Sequence, residues 1–270
     1  MRPRGGGHLR ARVDGVEIEH EVRGEGRTIL FLHAFPLSSS MWDAQSDALS
    51  DRQRVVRFDA RGFGGSAPAG GPLTMERIAD DAAALLERLG VERAVVAGCS
   101  MGGYAALAFA RRHPRRLAGL VLQDTKAGPD SEEAKTGRRS LATRVLAEGA
   151  PAAVEAFLPR LLGETTHRER PELVARTREA ILAAPPQSVA DALHGLAERE
   201  DSRPALGSIR VPTLVIVGEE DVLTPPSEAE AIAAAVPGAR LVRVARAGHL
   251  ANLEDPQAVN AALRSFLGER

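Results

Sequence analysis

The sequence predicts an α/β protein built on a mostly parallel, doubly wound sheet. Short apolar runs of strand length alternate with helix-length amphipathic segments towards both ends of the chain. This alternation is typical of parallel βαβ units, in which each strand is followed by a helix that packs back on the sheet. Between the two arrays, residues 129–205 show helical patterns and no convincing strand. A helical block in that place indicates an inserted helical lid, although a helical stretch of one continuous domain would give the same pattern.

We therefore expect a core domain formed by residues 8–128 and 206–270. The predicted lid, residues 129–205, forms a helical cap that interrupts this core. Residues 1–7 are basic and rich in glycine, and we expect them to form a disordered tail. The N-terminal segment lacks the apolar core of a signal peptide, and the apolar runs fall short of the ~18 residues of a membrane span.

The individual strands and helices follow from apolar periodicity and from signals at their ends. The dipeptide Asp14-Gly15 separates two alternating segments and predicts an antiparallel N-terminal hairpin. Thr74 is placed as the N-cap of a helix, and Pro114 ends another helix. Continuous apolar runs predict buried parallel strands at 28–33, 54–59, 93–98, 117–124, 212–218 and 239–245. Helical patterns predict core helices at 41–49, 75–90, 101–113, 226–236 and 255–267, and cap helices at 132–149, 151–163, 171–184 and 186–200.

Composition argues against several classes of protein. The net charge of −1 gives no basic field that would attract nucleic acid or an anionic membrane. A single cysteine forms neither an internal disulfide nor a thiolate metal cage. The sequence also lacks a glycine-rich dinucleotide-binding motif. These features predict a cytoplasmic protein without a nucleic acid or membrane partner.

One serine has the surroundings of a nucleophile. Ser100 is the centre of Gly98-Cys99-Ser100-Met101-Gly102, a G-x-S-x-G sequence between a predicted strand and a predicted helix. In that context the serine occupies a sharp turn, and the two glycines let neighbouring backbone approach closely. The amide groups at the start of the following helix face any anion that forms there. The alternative is a tight packing turn without chemistry, since small residues also occur where a strand and a helix touch.

A serine nucleophile requires a base, and an acid that orients the base. In sheets of this kind an acid and then a histidine follow the serine in the chain. Asp221 and His249 follow the last two predicted strands, so the sequence predicts Ser100, Asp221 and His249 as a catalytic triad. The alternatives are a turn residue at Asp221 and a capping or surface-loop histidine at His249. Other carboxylates at strand ends compete with Asp221, and they are Asp124, Glu219 and Glu220. We favour Asp221, which stands a few residues past its strand, and interpret Asp124 as a turn or cap-hinge residue.

The oxyanion that forms on attack requires two N–H donors. The first is expected from Met101, the residue directly after the nucleophile. The second is expected from the loop after strand 28–33, where Phe35 is preferred to Ala34. The ring of Phe35 would also form the floor of an acyl pocket.

Five segments of the chain resemble those of the α/β-hydrolase fold family, and within it small carboxylesterases and 3-oxoadipate enol-lactonase-like hydrolases. The segments are FLHAFPLSSSMW, FDARGFGGS, GCSMGGYAALAFARRHP, GEEDVLTPP and AGHLANLEDP. The resemblance implies an α/β-hydrolase fold with Ser100 as nucleophile, Asp221 as acid and His249 as base. It also implies oxyanion donors at the amides of Phe35 and Met101. The chain departs from many members in having alanine instead of glycine after the histidine of the first segment.

The resemblance further implies an enzyme that cleaves small-molecule carboxylic esters or lactones through an acyl-enzyme, with water as the second reactant. It implies no metal ion and no organic cofactor. The same triad serves carbon–carbon bond hydrolases, cofactor-free perhydrolases of the haloperoxidase type and prolyl aminopeptidases. A non-catalytic ligand-binding protein of this fold is the alternative from another class. The presence of all three triad residues favours an enzyme.

Four cap arginines bear on the choice of substrate, and they are Arg138, Arg139, Arg144 and Arg160. One interpretation is that they recognise a substrate carboxylate, as an enol-lactonase requires. The other is a solvated helix face, which we favour from the sequence because charged residues usually occupy the exposed side of a helix.

Overall fold

A computed structural model describes residues 8–268, so the tail expected at residues 1–7 lies outside the described residues. Within this range, eight strands form one mixed sheet. The strands are β1 (Leu9–Val13), β2 (Val16–Arg23), β3 (Arg27–Leu32), β4 (Gln53–Phe58), β5 (Ala94–Cys99), β6 (Leu117–Gln123), β7 (Thr213–Gly218) and β8 (Arg240–Val244).

The sheet has the order β1-β2-β4-β3-β5-β6-β7-β8. β1 and β2 form the predicted hairpin around Asp14 and Gly15, whose φ angles are +46° and +79°. β2 pairs antiparallel with β4, and the pairings from β4 onwards to β8 are parallel. The order reverses at β3, because the chain adds β4 on one side of it and β5 on the other. The mostly parallel, doubly wound α/β sheet is thereby confirmed, and ligands of such sheets bind above the strand ends at the reversal.

Twelve α-helices are found among the described residues, and none of them is long and apolar enough to cross a membrane. Thr74 is the N-cap of the helix that begins at Met75, as predicted, because its hydroxyl accepts the Arg77 N–H at 3.1 Å. The helices are α1 (Asp43–Leu49), α2 (Met75–Arg88), α3 (Met101–Arg112), α4 (Glu132–Glu148), α5 (Ala150–Leu161), α6 (Glu164–Glu169), α7 (Pro171–Leu182), α8 (Pro186–Ala197), α9 (Arg203–Leu206), α10 (Pro226–Ala235), α11 (Ala251–Glu254) and α12 (Pro256–Leu267).

The central strands carry the core. Every residue of β5 and of β7 is buried, as a strand covered on both faces requires. On the sheet, α2 packs against α3, while α1 packs against α12. Each fully buried aliphatic or aromatic side chain contributes about 1.5–3 kcal/mol, so this layer holds the carboxyl ends of the strands in fixed positions.

Residues 129–205 are helical without a strand, as predicted, but two more helices than expected begin there, α6 and α9. α6 follows Gly163 and is only six residues long, too short for its periodicity to be recognised in the sequence. α4 packs on α8, and α5 packs on α7. Side chains of the cap and of the strand ends line one cavity, so the cap covers the edge of the sheet at which β5, β7 and β8 end.

Candidate active site

Ser100 stands on the sharp turn that the sequence predicts. β5 ends at Cys99 and α3 begins at Met101, which leaves Ser100 between them with φ +53° and ψ −113°. A non-glycine residue in such a conformation costs about 1–3 kcal/mol and must be held by its surroundings. Here the Ser100 N–H donates to Gln123 O at 3.0 Å, and Ser100 O accepts from Thr125 Oγ1 at 3.0 Å. The turn is therefore fixed from the end of β6, the neighbouring strand, and from the loop that follows it.

The two glycines around the serine are required by the close approach of backbone. A Cβ atom on Gly98 would lie 2.0 Å from Gly102 O, and one on Gly102 would lie 2.2 Å from Leu32 O. Any side chain at either position would force backbone apart. β3, β5 and α3 therefore meet without side chains between them, and the Ser100 side chain is presented to the cavity.

The structure brings Ser100, His249 and Asp221 into one chain of hydrogen bonds. Ser100 Oγ lies 2.7 Å from His249 Nε2, and His249 Nδ1 lies 2.9 Å from Asp221 Oδ2. An ionised carboxylate only accepts hydrogen bonds, so the neutral imidazole carries its proton on Nδ1 and accepts the serine O–H at Nε2. Asp221 follows β7 and His249 follows β8, so the loops beyond both late strands converge on the serine.

Asp221 is held in its ionised form. Burial raises the pKa of this carboxyl, but the charge of His249 and the hydrogen bonds from His249 and Thr224 outweigh burial, and its pKa lies below the usual value. Oδ1 accepts the N–H groups of Leu223 at 2.8 Å and Thr224 at 3.0 Å. Oδ2 accepts the Thr224 hydroxyl at 2.7 Å. The carboxylate is thus fixed in one orientation, and so is the imidazole that it holds.

Asp124, the competing acid, is bonded to backbone instead of to the imidazole. Its Oδ1 accepts the Gly218 N–H at 2.8 Å, and its Oδ2 accepts the Ala251 N–H at 3.1 Å. Burial, and after it the charge of Asp221, raise its pKa well above the usual value. A φ of +44° makes it a turn residue, as the sequence indicates. In addition it ties the end of β7 to the segment that follows His249.

Two backbone N–H groups are open beside the serine. Within residues 8–268, the N–H groups of Phe35 and Met101 have no hydrogen-bond acceptor. Ala34, the alternative to Phe35, donates its N–H to Met41 Sδ at 3.1 Å. Phe35, Met101 and Ser100 line the same cavity. The open donors therefore belong to the two residues that the sequence predicts for an oxyanion.

The cavity above Ser100 has a volume of about 390 Å³. Part of its lining is apolar, and there the rings of Phe35 and the cap residue Phe157 meet edge to face with their centroids 5.1 Å apart. Further apolar side chains in the lining are Leu141, Leu196 and Leu223. A space of this size fits a small organic ligand.

The charged part of the lining carries an excess of positive charge. Lys126, Arg138 and Arg160 line the cavity together with one acid, Asp130. Burial raises the pKa of Asp130, but its hydrogen bonds with Arg199 and Arg138 outweigh burial and bring the pKa to about 2. Burial and the charge of Arg199 lower the pKa of Lys126. Lys126 Nζ also lies 3.6 Å from Asp130 Oδ1, whereas Arg160 forms no ion pair among the described residues.

The four cap arginines divide into two pairs. Arg139 and Arg144 pair with exposed glutamates, as a solvated helix face requires. Arg138 is only 22% exposed and lines the cavity, so the solvated-face interpretation is wrong for it. Arg160 is exposed and also belongs to the lining. Arg138 and Arg139 are neighbours on α4, but the side chains of successive helical residues point about 100° apart. One of the two can therefore face the cavity while the other faces away from it.

Comparison with known proteins decides the family. The profile of the alpha/beta hydrolase fold matches residues 27–256 of the 270-residue chain. The chain belongs to the alpha/beta hydrolase fold family. The resemblance stated from the sequence is thereby confirmed, and with it the α/β-hydrolase fold with a helical insert.

Three members of the alpha/beta hydrolase family illustrate the similarity. The chain is 44% identical to a thermophilic esterase from Thermogutta terrifontis, with a TM-score of 0.94 and coverage of 97% of this chain and 98% of that one. It is 32% identical to the enol-lactonase from Burkholderia xenovorans LB400, with a TM-score of 0.90 and coverage of 97% and 100%. It is 28% identical to 3-oxoadipate enol-lactonase 2 of Acinetobacter baylyi over 239 residues, 88% of each chain.

Sequence reasoning missed several residues around the site of this alpha/beta hydrolase. Thr224 bonds Asp221 and lies 3.2 Å from His249 Nδ1, and the Asp-x-x-Thr spacing is a signal that could have identified it. Lys126 and Asp130 reach the cavity only through the path of the chain after β6, which no local pattern marks.

In the described range, no group of three His, Cys, Asp or Glu side chains is placed to hold a metal ion.

Proposed function

We propose that this protein is a serine hydrolase that cleaves carboxylic esters or lactones of small molecules through a covalent acyl-enzyme. The observation that carries the proposal is a pair of hydrogen bonds, from Ser100 Oγ to His249 Nε2 (2.7 Å) and from His249 Nδ1 to Asp221 Oδ2 (2.9 Å). A serine hydroxyl is a weak nucleophile unless a base takes its proton. Here His249 is the base, and Asp221 is the group that orients it. An esterase and two enol-lactonases among the relatives support the same chemistry.

The first half-reaction begins at the serine. As Ser100 Oγ attacks the carbonyl carbon, its proton moves to His249 Nε2. Asp221 keeps the imidazole in the right tautomer and stabilises the imidazolium that forms. The carbonyl oxygen becomes an oxyanion, for which the N–H groups of Phe35 and Met101 are the open donors. The alcohol then leaves with the proton from His249, and the acyl group stays on the serine oxygen.

The second half-reaction repeats these steps with water. His249 takes a proton from a water molecule, and the oxygen attacks the acyl carbon. The same two N–H donors hold the second oxyanion, and each such donor typically accounts for ~10²–10³ in rate. Collapse of the intermediate releases the acid, and the proton on His249 returns to Ser100 Oγ. The cycle balances with water as the second reactant.

We propose further that the substrate carries a carboxylate. Lys126 and Arg160 line the cavity, and the one acid in the lining, Asp130, is shared among Arg138, Arg199 and Lys126, so the cations outnumber it. A substrate anion beside these cations would gain charge-assisted hydrogen bonds and reduce their mutual repulsion. The Thermogutta terrifontis esterase was solved with malate bound, and malate is a dicarboxylate.

The cap contributes side chains to the cavity above Ser100. We propose that residues 129–205 form a domain that closes the cavity over a core of 8–128 and 206–270. Leu141, Phe157 and other cap side chains complete a lining that begins with the strand-end loops. Exchange of cap side chains should therefore change which esters are accepted.

Turnover of short-chain aryl esters tests the proposed function. We expect the wild type to hydrolyse p-nitrophenyl acetate and butyrate. Ser100→Ala should lose at least about 10⁴-fold in kcat/KM because the nucleophile is gone. Ser208→Ala, a change in an exposed turn, is the control and should keep full activity. Undiminished turnover in Ser100→Ala would refute the nucleophile, and a wild type without turnover would favour a ligand-binding protein of this fold.

A further inference from the structure

One short piece of the cap is bonded to both loops that carry the base and the acid. This piece is residues 163–166, called the cap turn below. Glu254 Oε2 accepts the Gly163 N–H at 2.8 Å and the Thr166 hydroxyl at 2.6 Å. Glu220 accepts the Thr165 N–H at 2.8 Å and the Thr165 hydroxyl at 2.5 Å. Two carboxylates of the core therefore take up four donors of the cap turn.

The other oxygen of Glu254 binds the loop of the histidine. Oε1 accepts the Gly248 N–H at 2.8 Å and the Leu250 N–H at 3.3 Å. These two residues stand directly before and after His249, so the carboxylate brackets the imidazole in the chain. Glu220 holds an equivalent place beside the acid, because it is the residue that precedes Asp221.

The cap turn and the histidine loop also touch through their backbones. A Cβ atom on Gly248 would lie 2.3 Å from Gly163 N, and a Cβ atom on Gly163 would lie 2.5 Å from Glu220 Oε2. There is no room for a side chain on either glycine. A small displacement of the cap turn would therefore be transmitted to the backbone next to His249.

Glu254 is placed to act as a rigid link. It is 7% exposed, and its two oxygens accept four hydrogen bonds, two from each side. A buried carboxylate is costly to leave without donors, so moving either side away from it is unfavourable. A further contact supports the link, since the guanidinium of Arg170, the residue between α6 and α7, donates to Glu254 O at 2.6 Å.

We propose that Glu254 is a positioning residue for His249. It holds the imidazole in place by joining the histidine loop to the cap turn. The cap then has a second role besides lining the cavity, because its docking fixes the imidazole at hydrogen-bond distance from Ser100. This inference rests on the proposed function, in which His249 is the base. It implies that damage to the link lowers the rate of the chemical step more than it weakens substrate binding.

Two substitutions test the link from its two ends. Glu254→Gln keeps the size of the side chain but turns one accepting oxygen into an NH2 group that faces N–H or O–H donors. Thr166→Val removes only the cap hydroxyl and leaves the bonds of Glu254 to the histidine loop in place. Glu179→Gln and Thr143→Val, at exposed cap positions, are the matched controls.

Steady-state kinetics and labelling by a fluorophosphonate provide the first readout. Glu254→Gln should lose on the order of 10- to 100-fold in kcat and in the labelling rate, with KM within about threefold of wild type. Thr166→Val should change both in the same direction by a smaller factor, and the controls should match wild type. A folded Glu254→Gln with wild-type kcat and labelling rate, or with a change in KM alone, overturns the inference. Where Glu254→Gln does not fold, Thr166→Val decides between the same outcomes.

Proton NMR provides a readout that does not depend on turnover. The Nδ1 proton of His249, bonded to Asp221, gives a downfield resonance, which should shift or broaden in both variants and not in the controls. A wild type that neither turns over nor labels defeats the proposed function by itself. The resonance then tests the link alone: a shifted signal in Glu254→Gln supports it, and an unchanged signal overturns it.

Discussion

Asp221 and Asp124 stand just past neighbouring strands, but their surroundings move their pKa values in opposite directions. The pKa of Asp221 is lowered in spite of its burial, because its interaction with His249 and the hydrogen bonds from His249 and Thr224 outweigh burial. The pKa of Asp124 is raised by burial and by the charge of Asp221. Its partners are neutral, namely two backbone N–H groups and the Gln123 amide. Of the two, only Asp221 is therefore placed to stabilise an imidazolium.

Exchange of each carboxylate for its amide should separate their roles. Asp221→Asn should lower kcat by about 10³–10⁴-fold, because an amide favours the wrong imidazole tautomer and stabilises no charge. Asp124→Asn should lower kcat by less than about tenfold and the free energy of unfolding by roughly 1–3 kcal/mol, since its NH2 group meets a buried N–H donor. Ester kinetics and urea unfolding measure the two effects. A greater loss of kcat in Asp124→Asn than in Asp221→Asn would assign the acid to Asp124.

Single residues are predictable from sequence where their local context is distinctive. Ser100 is marked by its glycines, and Asp221 and His249 by the strands before them, and the structure brings these three together. Glu254 carries no comparable mark. In the sequence it only precedes the helix predicted at 255–267, and the docking of the cap places it between the cap turn and the histidine loop.

Secondary-structure elements are predictable in proportion to the clarity of their apolar pattern. The core strands and helices have continuous or amphipathic patterns, and they form within a few residues of the predicted bounds. α4 is different, because only Ala142 and Val145 are buried along its length. Its apolar residues form no clear stripe, so the sequence does not indicate which side of α4 faces the core. This is why Arg138, in the cavity lining, could not be told from Arg139, outside it.

The charge of the cavity lining is a property of how the cap and the β6 loop pack together, and it predicts a preference among substrates. Arg160→Met and Lys126→Met should each lower kcat/KM for the half-ester p-nitrophenyl succinate by about tenfold, as the loss of a partly screened charge-assisted bond implies. Turnover of p-nitrophenyl butyrate, similar in size but neutral, should stay within about twofold of wild type.

Arg139→Met is the matched control for this prediction, because Arg139 lies on the same cap but pairs with Glu198 outside the cavity. It should leave both esters unaffected. Added salt should narrow the preference for the charged ester in the wild type, since salt screens the attraction. Equal losses for the two esters in Arg160→Met and Lys126→Met would contradict a carboxylate subsite.

At the scale of the whole molecule, topology gathers the site from distant parts of the chain. β5, β7 and β8 run parallel with β3 and β6, so the loops after them emerge at one edge of the sheet. That much follows from the strand pattern of the sequence. The contact of the cap with this edge does not, because it depends on pairs such as Gly163 with Gly248 that are far apart in the chain and have no local signal.

Covalent trapping at Ser100 is the most direct test of the central claim that this serine becomes acylated. The protein is incubated with a fluorophosphonate, and separately with a slowly hydrolysed aryl ester, and is then measured by intact mass and peptide mapping. We predict a single adduct on Ser100 in the wild type, strongly slowed labelling in His249→Asn and no adduct in Ser100→Ala. An adduct on another residue, or active ester hydrolysis without any adduct on Ser100, would contradict the claim.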